Sequence, residues 1–159
     1  GIDIAGEGPC IACHMDNGTH SFAAVEKDDS GTITEIVATN CVDCHSGQYA
    51  LTPEILDHES MSYQEAGQLL LDIINQANGL TNYTSAIINQ NNAEDNDRRA
   101  FQNSKIATEE KAGYAHNRFY VKRLIFDGID WAEDGAIDGT ISNYTAYPDA
   151  MAWLGTARP

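Results

Sequence analysis

The sequence predicts a mainly α-helical fold with long loops, and three observations carry that reading. Between Ser62 and Ala77 the residues Ala66, Leu69, Leu70, Ile73, Ile74 and Ala77 recur at the spacing of one helical face. From Thr108 to about Trp131 a second helical stretch opens on acids and places Ala112, Ala115, His116, Phe119 and Tyr120 on one side. The first fifty residues differ from both. They are rich in Gly, Asp, Asn and Thr and carry two short cysteine motifs.

In chain order, Asp28-Asp29-Ser30-Gly31 signals a turn, and Thr32–Ile36 alternates as a short strand does. Thr52 followed by Pro53 reads as an N-cap with proline at the first helical position, opening a short helix to about His58. Ser62 and Glu65 form a capping box for the next helix, which Gly79 stops. The Asn- and Gln-rich segment from Asn82 to Asn103 reads as an exposed excursion. Thr108 is then the N-cap of the His116 helix, with Gly128 a point of interruption. Asp127-Gly128, Asp134-Gly135 and Asp138-Gly139 read as turns, and Pro148 opens a last helix through Trp153. These aspartates lack the alternation of a calcium-binding loop.

At 159 residues the chain is long enough for one domain with its own core. The longest apolar run, at Leu69-Leu70-Leu71, is broken by Asp72, so no membrane span is expected. Twenty-four acidic against nine basic residues give a formal charge of −15, which disfavours nucleic acid and favours cations or basic partners.

The chemistry lies in Cys10-Ile11-Ala12-Cys13-His14 and Cys41-Val42-Asp43-Cys44-His45, which use all four cysteines. C-x-x-C-H is the attachment pattern of a c-type haem. Thiols three positions apart on one tight turn each form a thioether to one macrocycle edge, while the next residue turns its imidazole under the iron. A four-cysteine zinc site and a pair of thioredoxin-like redox motifs leave the two histidines unexplained. Two covalently bound haem c groups are therefore expected, with Cys10, Cys13, Cys41 and Cys44 as anchors and His14 and His45 as proximal ligands. The expected organisation is a single dihaem domain, with residues 1–60 the haem-attachment segment and 61–159 a helical segment that supplies a distal ligand.

For the sixth iron positions the chain offers His20, His58 and His116, besides Met15, Met61 and Met151. Histidine at both axial positions favours low reduction potentials. His20 is six residues past His14, a span of at most about 20 Å when extended, so reaching around its own haem is taut and a neighbouring haem is the easier target. His116, among small residues, is the other expected distal ligand, with Phe119 and Tyr120 packing on the haem. His58, between Asp57 and Glu59, reads as a solvated residue and stands as a reserve. Met15 is expected against its haem, and Met61 and Met151 as core residues or gap fillers.

These segments resemble the multihaem c-type cytochromes that metal-reducing bacteria use for extracellular electron transfer. The resemblance runs through most of the chain. Gly8-Pro9-Cys10-Ile11-Ala12-Cys13-His14-Met15 followed by His20-Ser21-Phe22 looks like a first haem segment. Gly113-Tyr114-Ala115-His116-Asn117-Arg118-Phe119-Tyr120, leading into Lys122-Arg123-Leu124-Ile125-Phe126-Asp127 and Ile129-Asp130-Trp131, looks like a C-terminal ligand helix. The resemblance implies that His20 and His116 are distal ligands. Many relatives carry more than two haems, and some polymerise.

The function expected is single-electron transfer through two closely spaced bis-histidine haems, periplasmic or extracellular, in an exported chain whose signal peptide is absent. Expected partners are redox proteins or extracellular acceptors, and further copies stacked through their haems into an oligomer or filament. The alternative is a dihaem enzyme, a peroxidase or small-ion reductase, with one open iron.

Overall fold

The structure, a computed structural model, describes residues 9–15, 22–77 and 95–159. They fall into two compact units, Gly1–His58 and Glu59–Pro159.

In the first unit two short helices, α1 (Pro9–His14) and α2 (Thr39–Cys44), pack on each other. Between them in sequence lies an antiparallel hairpin of β1 (Val25–Lys27) and β2 (Ile33–Ile36), with Val25 opposite Ile36, Glu26 opposite Glu35 and a bulge after Glu26. The strand expected at Thr32–Ile36 is present. Its turn is organised by Asp28, whose carboxylate accepts the Ser30 amide at 2.9 Å and the Thr32 amide at 3.0 Å while Gly31 takes φ 88°. Hydrogen bonds from the Ser30 hydroxyl and these amides hold the Asp28 carboxyl below its ordinary pKa. Ile33 is buried, and its amide donates to Asp57 at 2.9 Å.

The helix α3 (Pro53–Ala77) opens as the sequence predicts, with the Thr52 hydroxyl accepting the Ile55 amide at 3.3 Å. It does not stop at His58. Glu59, Ser60 and Met61 include no breaker, so one helix replaces the two expected. Ser62 and Glu65 are accordingly no capping box. Ser62 is buried mid-helix, and the Glu65 carboxylate accepts the Ala150 amide at 2.6 Å, capping α7 (Pro148–Leu154) from a distance in sequence.

The second unit is completed by α4 (Asp95–Glu109), α5 (Gly113–His116) and α6 (Arg118–Asp134). Its core joins Tyr63, Leu69, Leu70 and Ile74 of α3 with Ala100, Phe101 and Ala107 of α4, Ile125, Phe126 and Ile129 of α6, and Trp153 and Leu154 of α7. Close approach is bought with glycine: a Cβ on Gly67 would lie 2.9 Å from the Ala107 Cβ, and one on Gly128 would lie 2.9 Å from the Leu70 Cδ2.

Four expectations are corrected in this unit. The excursion expected over 82–103 is helical from Asp95 onward and buries Ala100 and Phe101 against α6, apolar anchors that the surrounding polarity masked; 82–94 lies outside the described residues. Thr108 ends a helix instead of starting one. Its hydroxyl donates to the Lys105 carbonyl at 3.3 Å, and the Lys111 ammonium caps the Thr108 carbonyl at 2.7 Å. Gly128 interrupts nothing and Asp127-Gly128 is no turn; α6 runs on to Gly135, which ends it at φ 80°. Met61, expected in the core, is 55% exposed, since it lies on the solvent side of α3.

The remaining Asp-Gly turns stand. Gly139 takes φ 83°, and its amide donates at 2.8 Å to Asp130, a carboxylate buried to 2% exposure. No helix among the described residues is long and apolar enough to cross a membrane.

Candidate haem-attachment site

Each cysteine motif occupies one short helix. In α1 Cys10 and Cys13 are separated by one turn, and His14 closes the helix; in α2 Cys41 and Cys44 repeat the arrangement, with His45 at the C-cap. The turn at His45 is closed by its own amide, which donates to the Cys41 carbonyl at 2.8 Å, while its carbonyl accepts the Leu51 amide at 3.1 Å. Cys10 and Cys44 are exposed, and Cys13 and Cys41 are half-buried. Among the described residues no three His, Cys, Asp or Glu side chains gather as a metal ion requires.

His14 is held in one orientation. Its Nδ1 lies 2.8 Å from the Phe22 carbonyl oxygen, and its ring stacks on the Phe22 ring with centroids 5.5 Å apart and planes 17° apart. A carbonyl can only accept, so Nδ1 carries the proton and the lone pair resides on Nε2, the tautomer a metal needs. Phe22 pays for this with a left-handed backbone at φ 55°, uncommon for a side chain of that bulk. Sequence reasoning placed Phe22 only as a flanking residue; the positive φ that brings its carbonyl under His14 has no signature in a phenylalanine.

Large apolar side chains stand in solvent around both motifs. Ile11 and Val42, inside the motifs, are 37% and 45% exposed, and Phe22 and Tyr49 are 60% and 72% exposed. Such a set fits a large apolar cofactor carried against these helices. Met15, directly after α1, is half-buried.

The second unit holds His116 at the end of α5. The common face expected for Ala112, Ala115, His116, Phe119 and Tyr120 is not formed, because Asn117 leaves helical geometry at φ −157° and ψ 63° and separates α5 from α6. Phe119 and Tyr120 are 73% and 58% exposed at the start of α6. Upstream, the fully buried Tyr63 donates to the Glu110 carbonyl at 2.8 Å, and Gly113 packs on its ring so closely that a Cβ would lie 2.5 Å from the hydroxyl. Burial, with the Glu110 charge nearby, pushes the Tyr63 hydroxyl up to about 12. The Glu110 carboxylate accepts the Ala112 amide at 3.0 Å and lies 3.3 Å from the His116 Nδ1.

His58 is exposed on α3, with the exposed Ile55 one turn before it. His20 lies outside the described residues.

The comparison with known proteins agrees with the motifs. Over 96% of its length the chain is 35% identical to the C-type polyheme cytochrome OmcB of Geobacter sulfurreducens, in two strains, of which it covers 26%. The chain is homologous to polyhaem c-type cytochromes. A second polyhaem cytochrome of the same species, OmcC, is likewise 35% identical over 96% of the chain and 25% of its own length. The chain thus spans about a quarter of the length of the curated cytochromes it matches. No family model and no solved structure matches it.

Proposed function

We propose that this chain carries two covalently bound haem c groups and passes single electrons between them and to redox partners in the periplasm or outside the cell. The observation that carries the reading is the packing of α1 against α2, which brings two C-x-x-C-H segments together in a chain homologous to polyhaem cytochromes. Haem c supplies the one-electron iron couple. Cys10 and Cys13, and Cys41 and Cys44, each anchor one group, and His14 and His45 provide the proximal nitrogens.

His20 and His116 are the proposed distal ligands, with His58 in reserve and Met15, Phe119 and Tyr120 as packing surface. Histidine on both sides of each iron leaves no open position, which argues for electron transfer over the peroxidase or reductase chemistry of an open iron. The exposure of both motifs supports extending the reading to stacking of haems between copies and polymerisation into a filament.

Haem content per chain tests the count. Native protein is expected to hold two haems, and Cys41→Ala with Cys44→Ala to hold one; a native content of one or none refutes the reading. Absorption and electron paramagnetic resonance test the ligands, with low-spin iron expected throughout and a high-spin signal favouring the enzyme. Negative-stain images of native material separate fibres, which support assembly, from discrete particles, which refute that part.

A further inference from the structure

We infer that Glu110 is the positioning residue of His116, holding its ring in the iron-binding tautomer and lowering the potential of the haem it ligates. The inference rests on the proposed role of His116 and adds a partner to it. His116 ends a helix of only four residues, which by itself fixes a side chain poorly. What fixes it is a chain of contacts leading back to the core. Tyr63, with no solvent exposure, donates to the Glu110 carbonyl at 2.8 Å, and its ring abuts Gly113, so the backbone on both sides of the Glu110–Ala112 turn is anchored. The Glu110 side chain then folds back over that turn, accepting the Ala112 amide at 3.0 Å. Its oxygen Oε1, held in this way, lies 3.3 Å from the His116 Nδ1.

Two consequences follow from a carboxylate at that atom. As an anion 3.3 Å from Nδ1 it favours the proton on that nitrogen and the lone pair on Nε2. As an anion it makes the imidazole a stronger donor and stabilises the more positive ferric state over the ferrous one, which lowers the reduction potential. His14 meets a neutral carbonyl at the same ring atom, so the two histidines differ by one full charge in their outer partners. The Glu110 charge acts on one of the two irons, the one His116 ligates, so it separates the two potentials and gives an electron entering the chain a preferred resting place.

The test uses the haem-loaded protein and redox titration followed by absorption. Glu110→Gln keeps an acceptor for Nδ1 and for the Ala112 amide but removes the charge. It is expected to leave all iron low-spin and to shift one of the two reduction steps upward by about tenfold in its equilibrium constant, about 59 mV for a one-electron couple. Glu110→Ala removes the acceptor as well and is expected to add a faster exchange of that haem's sixth ligand for cyanide. Circular dichroism confirms that each variant retains its helix content. If His116→Ala makes one haem high-spin while Glu110→Gln leaves both steps in place, Glu110 has no such role and the ligand reading survives. If His116→Ala changes neither haem, both fall together.

Discussion

Gly113→Ala tests whether the turn leading to His116 is built on Tyr63. The added Cβ would lie 2.5 Å from the Tyr63 hydroxyl and 2.8 Å from its Cζ, distances at which one group must move. Tyr63 has no solvent exposure and packs edge-on to Trp153 at 5.9 Å, so it has nowhere to swing. Overpacking of this kind costs about 1–3 kcal/mol, and displacing the hydroxyl from the Glu110 carbonyl removes a hydrogen bond worth about 1 kcal/mol. Replacing a helical glycine by alanine returns about 0.5–1 kcal/mol, leaving a net loss of about 2 kcal/mol. Tyr63→Phe alone is expected to cost about 1 kcal/mol. In the double variant the hydroxyl that clashes is gone, so the combined loss should fall short of the sum by about 1 kcal/mol. Urea unfolding of the haem-loaded protein, followed by far-ultraviolet circular dichroism, measures all three. Losses that add to within about 0.3 kcal/mol, or a Gly113→Ala protein as stable as the native one, would refute the contact as the organising feature of the turn.

Further outcomes follow from the same geometry. Gly67→Ala is expected to destabilise by about 2 kcal/mol, because its Cβ would meet the Ala107 Cβ at 2.9 Å and the Ala107 backbone at 3.3 Å, whereas Gly128→Ala meets only the Leu70 side-chain tip and should cost about half as much; thermal melts rank the pair. Glu59→Ala removes the acceptor of both Arg118 nitrogens, at 2.6 and 2.9 Å, and of the Trp153 indole at 2.9 Å, for a loss of about 2–3 kcal/mol by urea titration. Alkaline pH should destabilise the second unit. Tyr63, by burial, and Tyr147, by its hydrogen bond to Asp72, have pKa values raised from 10.0 to about 12. Each therefore favours the fold fully below pH 10, an advantage lost as pH climbs through 12. Stability against pH for native and Tyr147→Phe protein should diverge below that window and converge above it.

The parts of the fold legible in the sequence are those decided by neighbours along the chain. Thr52 and Pro53 start α3 and Pro148 starts α7 by local capping chemistry, and Asp28 to Gly31 makes its turn with its own side chains. The errors arise where a distant contact overrules the local signal. Ser62 and Glu65 have the spacing of a capping box, yet the Glu65 acceptor is used by the Ala150 amide, eighty-five positions away. The helix from Thr108 has the right acids for an N-terminus, yet the Glu110 carbonyl is taken by Tyr63, forty-seven positions away, and the Gly113 amide closes on it at 3.3 Å in a tighter turn. Local preference amounts to tenths of a kcal/mol per residue, and one buried tertiary hydrogen bond outweighs it.

The site divides along the same line. Cysteines and histidines in C-x-x-C-H are legible because covalent attachment demands fixed spacing within one helical turn. The surroundings of the imidazoles are not legible, since Phe22 meets His14 through a backbone carbonyl, and Glu110, whose carbonyl is held by Tyr63, lies 3.3 Å from His116. The exposure of Ile11, Phe22, Val42, Tyr49, Phe119 and Tyr120 belongs to the same argument. In a protein folding around its own side chains these residues would be core, and periodicity would have assigned them there. Ile11 and Val42 stand on helices of six residues, and Phe119 and Tyr120 on the outer side of α6; all are available to a partner that is not polypeptide. Loading the haems should therefore stabilise the first unit more than the second, whose core of Leu69, Leu70, Ile125, Phe126 and Ile129 closes without help. Hydrogen exchange on haem-loaded protein and on the four-cysteine-to-alanine variant measures this directly. Equal loss of protection in both units would mean that the apolar surface of the first unit is covered by something other than haem.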